Sequence, residues 1–526
     1  MLYILNVFIF VLIAICGISQ NNKPIQLEFE ANNLNQYNII TNNDNLFVLF
    51  QENGINSNKW KLLKYNNLLF NELELDIALG DICHFIDYKI FNNYIYFLFS
   101  ETGNNTNVLK QNFQIVKVNT SNFKYEIFNS YFNKKFFYNS FQVFDYNALI
   151  VGKSKTKDIN NIIQGLFQIT FIPQITGLAI NNSNSRVFNF SFTNKNTINI
   201  SPKLNGYSKT LSVSNINNTP IVLSRNIIRK KQDNIIKTLY DKDFQIINSE
   251  KLFKEDSNKH INYAKYFNYN DKNYIYGTYY YSKNKHSAIL ENDIISSTGL
   301  FIGNYENDKY KYYPFINFKN FYNFIETDNQ LSKKKVNKTR DKLKQKIGFQ
   351  YNIIVHDIIE YNNELILIGE CFVPEYRTEF QTVYNYGMPE TITREVFEGY
   401  KYTHAFIVGF DKDLNLKWEN SIEIMDIISF NLYKRISVLL NKNEIVLAYN
   451  NNGKIMYKII NKDKVTSNKK DIAIKSDDNE KVIDYYNSEI THWYANFYLA
   501  SGYKRIKTKG ILNNKTYFYL TKIGFN

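Results

Sequence analysis

Six histidines, His84, His260, His286, His356, His404 and His492, are the side chains of this sequence best suited to ligate a metal or move a proton near neutral pH. His84 and His356 stand 10 and 9 residues ahead of the apolar runs marked by Tyr94 and Leu365, so a repeated element would carry them to equivalent places. A metal held between such elements needs converging ligands, and Asp87 and Asp357 are the neighbouring carboxylates. No local spacing supports that arrangement. Hydrogen-bonded histidines at strand ends are the plainer reading, and no metal or cofactor is expected. His84, His356, Asp357 and His404 stand as candidate binding residues.

Asp411-Lys412-Asp413-Leu414-Asn415 imitates the start of a calcium loop, but Leu416 and Ile422 occupy the places where such a loop needs Gly and Glu. The Asp-x-Asp pattern recurs at Asp241 and Asp243, which suits a hairpin turn. The sequence holds no Gly-rich phosphate loop, no Gly-x-Ser-x-Gly elbow, no Cys-x-x-Cys pair and no His-Glu-x-x-His. Paired carboxylates for glycoside hydrolysis would have to be assembled from loops far apart in the chain, which leaves no local signature.

The formal net charge is +14, and half of it lies in one window. Between Leu331 and Ile347 there are eight basic residues and one acid, Asp341. Ser332 can cap, and Val336, Leu343 and Ile347 recur at helical spacing, so the window reads as a helix with one narrow apolar stripe. Lys334, Lys338 and Arg340 on its basic face are candidate contacts for a polyanion such as lipid head groups or acidic glycans. A solvated surface helix is the plainer reading, and no nucleic-acid partner is expected.

Met1–Ser19 carries no charge and contains an apolar run from Val7 to Ile15, shorter than the ~20 residues that span a bilayer. It reads as a signal peptide cleaved before Gln20, with small residues Gly17 and Ser19 at the required places. The alternative is a lipid anchor on Cys16, although Ile15 is bulkier than a lipoprotein box prefers. The expected location is extracytoplasmic: periplasmic, outer-membrane surface or secreted. After cleavage two cysteines remain, Cys83 and Cys371, too few for a disulfide framework.

The elements that must position these residues read as strands. The chain has 42 Tyr and 41 Phe against 7 Pro, a composition that favours sheets. An Asn- or Asp-rich turn followed by four to six apolar residues recurs around Leu46, Tyr94, Leu149, Val222, Tyr274, Leu365, Ile445 and Phe497. The base interval of about 50 residues is close to that of a propeller blade. Alternating strands follow several of these runs, most clearly from Ala405 to Trp418 across the Asp411 turn. Residues 20–526 are therefore expected to form one all-β domain, a β-propeller of seven blades with eight as the alternative. Two insertions interrupt it: the basic helix over 331–347, and a β-hairpin arm over 374–403 that turns at Tyr384 to Pro389.

Val355-His356-Asp357-Ile358-Ile359-Glu360 with Leu365 to Glu370 resembles exported proteins of unknown function from the Bacteroidetes. So do Phe397 to Ala405, Gly409-Phe410-Asp411 and Trp418-Glu419-Asn420-Ser421. The resemblance covers roughly the C-terminal half and implies an exported, propeller-like fold. It brings no catalytic residue with it. The function expected is a monomeric, non-catalytic binding module for a protein or glycan partner. An exported hydrolase acting on polysaccharide or peptide, and a structural component of the cell envelope, are the alternatives.

Overall fold

The computed structural model describes residues 25–525 apart from 32–33, 55–56, 81–82, 102–109, 134–135, 155–184, 205–206, 217, 228–232, 253–258, 271, 282–295, 306–308, 320–350, 386–387, 477–480 and 508–513. The described strands form eight antiparallel sheets, seven of four strands and one of six. Seven of the sheets are built from consecutive strands in chain order. In the eighth, the N-terminal strand Ile25–Glu30 pairs with the C-terminal strand Lys515–Gly524, from Ile25 opposite Lys522 to Glu30 opposite Tyr517. The fully buried ammonium of Lys504, on the next strand of that sheet, reaches Glu28 at 2.6 Å and fastens the N-terminal strand further.

The chain divides into two compact units, one formed by residues 1–77 with 435–526 and the other by 78–434. In the first unit the eighth sheet is packed on both faces. Phe518, Leu520 and Tyr503 meet Phe50, Val48 and Tyr37 of the first sheet, whereas Tyr498, Ala500 and Tyr519 meet Val446, Ala448 and Ile455 of the seventh. In the second unit the second to sixth sheets stack in chain order through four successive apolar layers. Rings fill these layers edge to face, as where the Phe50 and Phe518 centroids lie 4.9 Å apart. Each large apolar side chain fully buried in this way contributes roughly 1.5–3 kcal/mol.

The second strand in the order of each sheet is buried on both faces, as the continuous burial of Tyr94–Glu101 and Lys272–Tyr281 illustrates, and in the sixth sheet this holds from Leu365 to Phe372 only. These second strands are the eight apolar runs found in the sequence. Some fourth strands face solvent: Ile246–Leu252 and Lys464–Ala473 are mostly exposed.

One turn recurs between third and fourth strands. Asn66, Asp241 and Asp411 each accept, at the side-chain oxygen, the backbone N–H groups two and four residues on, at 2.7–3.1 Å. The residue three positions on, Leu69, Phe244 or Leu414, takes a positive φ of about 60° and is buried beneath the turn. Left-handed backbone is unfavourable for side chains of this kind, so the buried apolar contact and the two hydrogen bonds must hold it there. The Asp411 pentapeptide is thus a turn, as its missing Gly and Glu implied.

Two expectations require correction. The described strands form eight sheets, the alternative count and not the seven expected first, because the N-terminal strand completes the last sheet and does not merge two of the eight repeats. The helix is not supported: among the described residues the only helical element is the three-residue 3-10 turn Phe315–Asn317. The window 331–347, with Lys334, Lys338 and Arg340, lies outside the described residues. The fold is all-β, multi-sheet and repeat-like.

Candidate functional site

The sixth sheet departs from the pattern of the others and carries most of the residues picked out in the sequence. Its two central strands, Glu364–Asn385 and Met388–Phe410, are 22 and 23 residues long. They stay paired from Leu365 opposite Phe410 to Asn385 opposite Met388. Asn352–Val355 and Ile359–Tyr361 pair only with the first part of the outgoing strand, and Leu416–Glu423 only with the last part of the returning one. Beyond Phe372, among the described residues, the hairpin continues past its sheet neighbours as an arm, braced at Tyr400 and Lys401 by Ile428–Ser429. A dozen residues at ~3.3 Å each take it about 40 Å outward.

Buried polar groups lie at the root of the arm. His356 follows the first strand of the sheet, and its Nε2 lies 2.6 Å from Oε1 of the fully buried Glu370. His404 lies directly opposite Cys371 on the returning strand, with Thr403 Oγ1 3.0 Å from its Nδ1 and the Tyr351 ring edge-on at 5.5 Å. Burial lowers the His404 pKa to about 3, so the imidazole is neutral. Burial, reinforced by the charge of Glu370, pushes the Cys371 thiol well above its ordinary range, which makes it inert as a nucleophile. Asp357 is ion-paired with Lys265. Burial raises its carboxyl, but Lys265 and Lys434 outweigh that and hold it below the ordinary value.

The two histidines are not brought together. Glu370 and Cys371 are neighbours on one strand and point to opposite faces, so the His356–Glu370 pair and the His404–Cys371 pair are separated by the sheet. Cys371 faces the layer shared with the fifth sheet, beside Leu367, Phe406 and Val408. His84 is half-buried in the second sheet, opposite Ser100. Among the described residues no group of three or more His, Cys, Asp or Glu side chains is gathered in a way that could hold a metal. Cys16 lies outside the described residues. Both pairs are enclosed in the sheet, and their chemistry is that of buried hydrogen-bonding groups fixing the root of the arm.

The accessible chemistry lies on the arm itself, which sequence reasoning located but did not use. Gly399, at φ +138°, sits where the register shifts between Glu375 and Tyr376, and a Cβ there would meet Ile428 Cγ2 at 2.9 Å. The close approach lets the short strand Ile428–Ser429 brace Tyr400 and Lys401. An aromatic row climbs from this point: Phe372 to Tyr400, Tyr400 to Phe397 and Phe397 to Tyr376, with centroids 5.0–5.5 Å apart. Higher on the arm the apolar side chains meet solvent, Tyr376 at 54%, Phe380 at 75% and Met388 at 75% exposure. On the other face Arg377 bonds Glu379 at 2.5 Å and approaches Glu398 at 3.6 Å. The available signal was the alternation of Tyr376, Thr378 and Phe380 with Arg377 and Glu379 along one strand.

No family model and no curated protein matches the chain. Among solved structures it is similar to the polysaccharide lyase Uly1, at 10% identity and a TM-score of 0.37, over 85% of this chain and 92% of that one. It is also similar to the β-propeller domain of the Trilobed protease from Pyrococcus furiosus, at 9% identity and a TM-score of 0.33, over 84% and 94%. A Synechocystis apocarotenoid oxygenase matches at 8% identity and a TM-score of 0.35, over 76% of this chain and 73% of its own. Likenesses of this order assign neither a family nor an activity.

Proposed function

We propose that the chain is an exported interaction module that presents the hairpin arm of its sixth sheet to a protein partner. One observation carries this reading: a paired, two-stranded arm that exposes Tyr376, Phe380, Met388 and Ile392 instead of folding them onto the body. Exposed apolar surface of this kind marks interaction sites in soluble proteins, and a two-stranded ribbon on its own is marginal in water. Among the described residues the outgoing strand of the arm has one edge without a strand partner beyond Phe372, which favours a protein over a glycan, because only a peptide backbone can extend a sheet by adding a strand. Export rests on the charge-free, apolar stretch Met1–Ser19.

The test is site-directed photo-crosslinking in cells that make the protein. A photoreactive residue at Phe380 is expected to give a discrete adduct of defined mass, whereas the same group at exposed Tyr125, far from the arm in sequence, gives none. Absence of an adduct at Phe380, or equal labelling at both places, would sink the reading.

A further inference from the structure

We infer that the partner of the arm is a second copy of this chain, joined edge to edge through antiparallel pairing of residues 373–383 about a two-fold axis at Thr378. The inference rests on the arm's being a binding surface and goes beyond it by naming the occupant.

The outgoing strand pairs on one side with the returning strand, and among the described residues its other edge has no strand partner beyond Phe372. From Glu375 to Asn385 it contains no proline, so every residue on that edge keeps its backbone N–H, whereas the returning strand carries Pro389 near the tip. A strand edge that presents unpaired backbone groups is a template for another strand; here Pro374 lies near the outer limit of the segment, and the charges Arg377 and Glu379 admit a neighbour only where opposite charges face each other. In a two-fold antiparallel pair, residues equally distant from the axis face each other, so self-pairing requires a sequence that complements its own reversal.

Val373-Pro374-Glu375-Tyr376-Arg377-Thr378-Glu379-Phe380-Gln381-Thr382-Val383 meets that condition about its central residue. On one face Thr378 meets its own copy, and Tyr376 meets Phe380 of the second copy on both sides of the axis. On the other face Arg377 meets Glu379 of the second copy twice, Glu375 meets Gln381, and Val373 meets Val383. Tyr376, Thr378, Phe380, Val373 and Val383 are all exposed, so the facing side chains are available for contact. Shifting the axis by one residue is unfavourable in either direction, because it sets Arg377 against Arg377 or Glu379 against Glu379. The resulting four-stranded ribbon would stack two aromatic pairs across the new seam and cover side chains that are otherwise wet. The charge pattern therefore fixes the register, and the aromatic pairs supply the apolar contact.

Sedimentation of the purified full chain is expected to show a concentration-dependent dimer, in place of the monomer expected from sequence. Arg377→Glu and Glu379→Arg each create two like-charge contacts and should weaken the dimer by about tenfold or more. The double variant Arg377→Glu with Glu379→Arg restores opposite charges across the seam and should recover dimerisation, which a merely misfolded variant would not do. Under mild oxidation Thr378→Cys is expected to give an interchain disulfide, and Thr382→Cys, whose facing residue is Pro374, is not. A chain that stays monomeric, a double variant no better than the singles, or equal crosslinking at the two cysteines would overturn the inference. A monomer whose Phe380 nonetheless crosslinks a different protein in cells overturns self-pairing alone and leaves the arm as a binding surface. A monomer with no adduct at Phe380 overturns both.

Discussion

His356 and Glu370 share a 2.6 Å hydrogen bond that ties the end of the first strand of the sixth sheet to the buried part of its outgoing strand Glu364–Asn385, with the Glu370 side chain wholly shielded from water. Glu370 lies one residue before Cys371 and two before Phe372, where the arm begins to leave the sheet. The pair therefore fixes the root from which everything exposed on the arm is held.

Removing one member of this pair should be more damaging than removing both. Glu370→Ala leaves the His356 imidazole in a cavity, and His356→Ala strips Glu370 of this bond. Each should cost about 3 kcal/mol, the usual penalty for breaking a buried charged or polar pair. The joint variant His356→Phe with Glu370→Leu should recover much of that loss. Urea midpoints of the three variants test the coupling, and strictly additive losses would show that the two side chains act independently.

His404 predicts an acid sensitivity with a definite sign. Its pKa is about 3 in the folded chain because burial disfavours the imidazolium, against an ordinary value of 6.5. Between those values the unfolded chain binds a proton that the folded chain does not, so stability falls as pH falls. The slope is about 1.4 kcal/mol per pH unit once well below 6.5, tapering off as pH approaches 3. Lowering the pH from 7 to 5 should destabilise the native chain by up to about 2 kcal/mol more than His404→Phe, which has nothing to protonate. Parallel pH curves for the two proteins, measured by urea unfolding, would count against a neutral buried His404.

The recurring Asx turn should be sensitive at its first residue. Asp411→Ala removes the acceptor for the N–H groups of Asp413 and Asn415, bonded at 3.0 and 2.7 Å, and should cost about 1–2 kcal/mol. Asp411→Asn keeps an oxygen in place and should cost less. Burial raises the Asp411 carboxyl slightly, but hydrogen bonds from Asn415 and Asp413 and the charge of Lys417 outweigh it and lower its pKa. The stability it contributes is therefore complete above the ordinary carboxylate value and is lost as the pH falls below it. Thermal melts of Asp411→Ala and Asp411→Asn at neutral pH check the ranking, and equal melting temperatures would remove the turn from the account.

The eight apolar runs were legible in the sequence for a physical reason, whereas the pairing of the two chain ends that decides how many sheets they make was not. Strands such as Tyr94–Glu101 and Lys272–Tyr281 are covered on both faces and must be apolar throughout, so all eight stand out as unbroken runs. The arm was legible because Tyr384 to Pro389 carries turn residues between two alternating segments. The basic window 331–347 lies outside the described residues, so the helix expected there takes no part in the account. His84 and His356 lie in the second and sixth sheets, and among the described residues no three potential ligands gather around either. The separation of His356 from His404 was invisible in the sequence. Which face a side chain takes depends on registers and bulges, such as the one between Cys371 and Phe372, that long-range pairing sets.

Gly399 links the root to the arm, and replacing it should loosen one without unfolding the other. Its φ of +138° is a conformation that side-chain-bearing residues rarely adopt, and an added Cβ would lie 2.9 Å from Ile428 Cγ2 and 3.1 Å from the Ser429 carbonyl oxygen. Gly399→Val should therefore push the strand Ile428–Ser429 away from Tyr400 and Lys401. That displacement also disturbs the neighbouring bond from Tyr402 N–H to the Ile427 oxygen, 2.9 Å long. The expected result is faster hydrogen exchange at Tyr402 and along 397–401, with little change in the buried strand Tyr94–Glu101 of the second sheet. If exchange rises equally in both places, the glycine is needed for the stability of the whole unit. If it rises in neither, the backbone at 399 relaxes without cost and the brace does not position the arm.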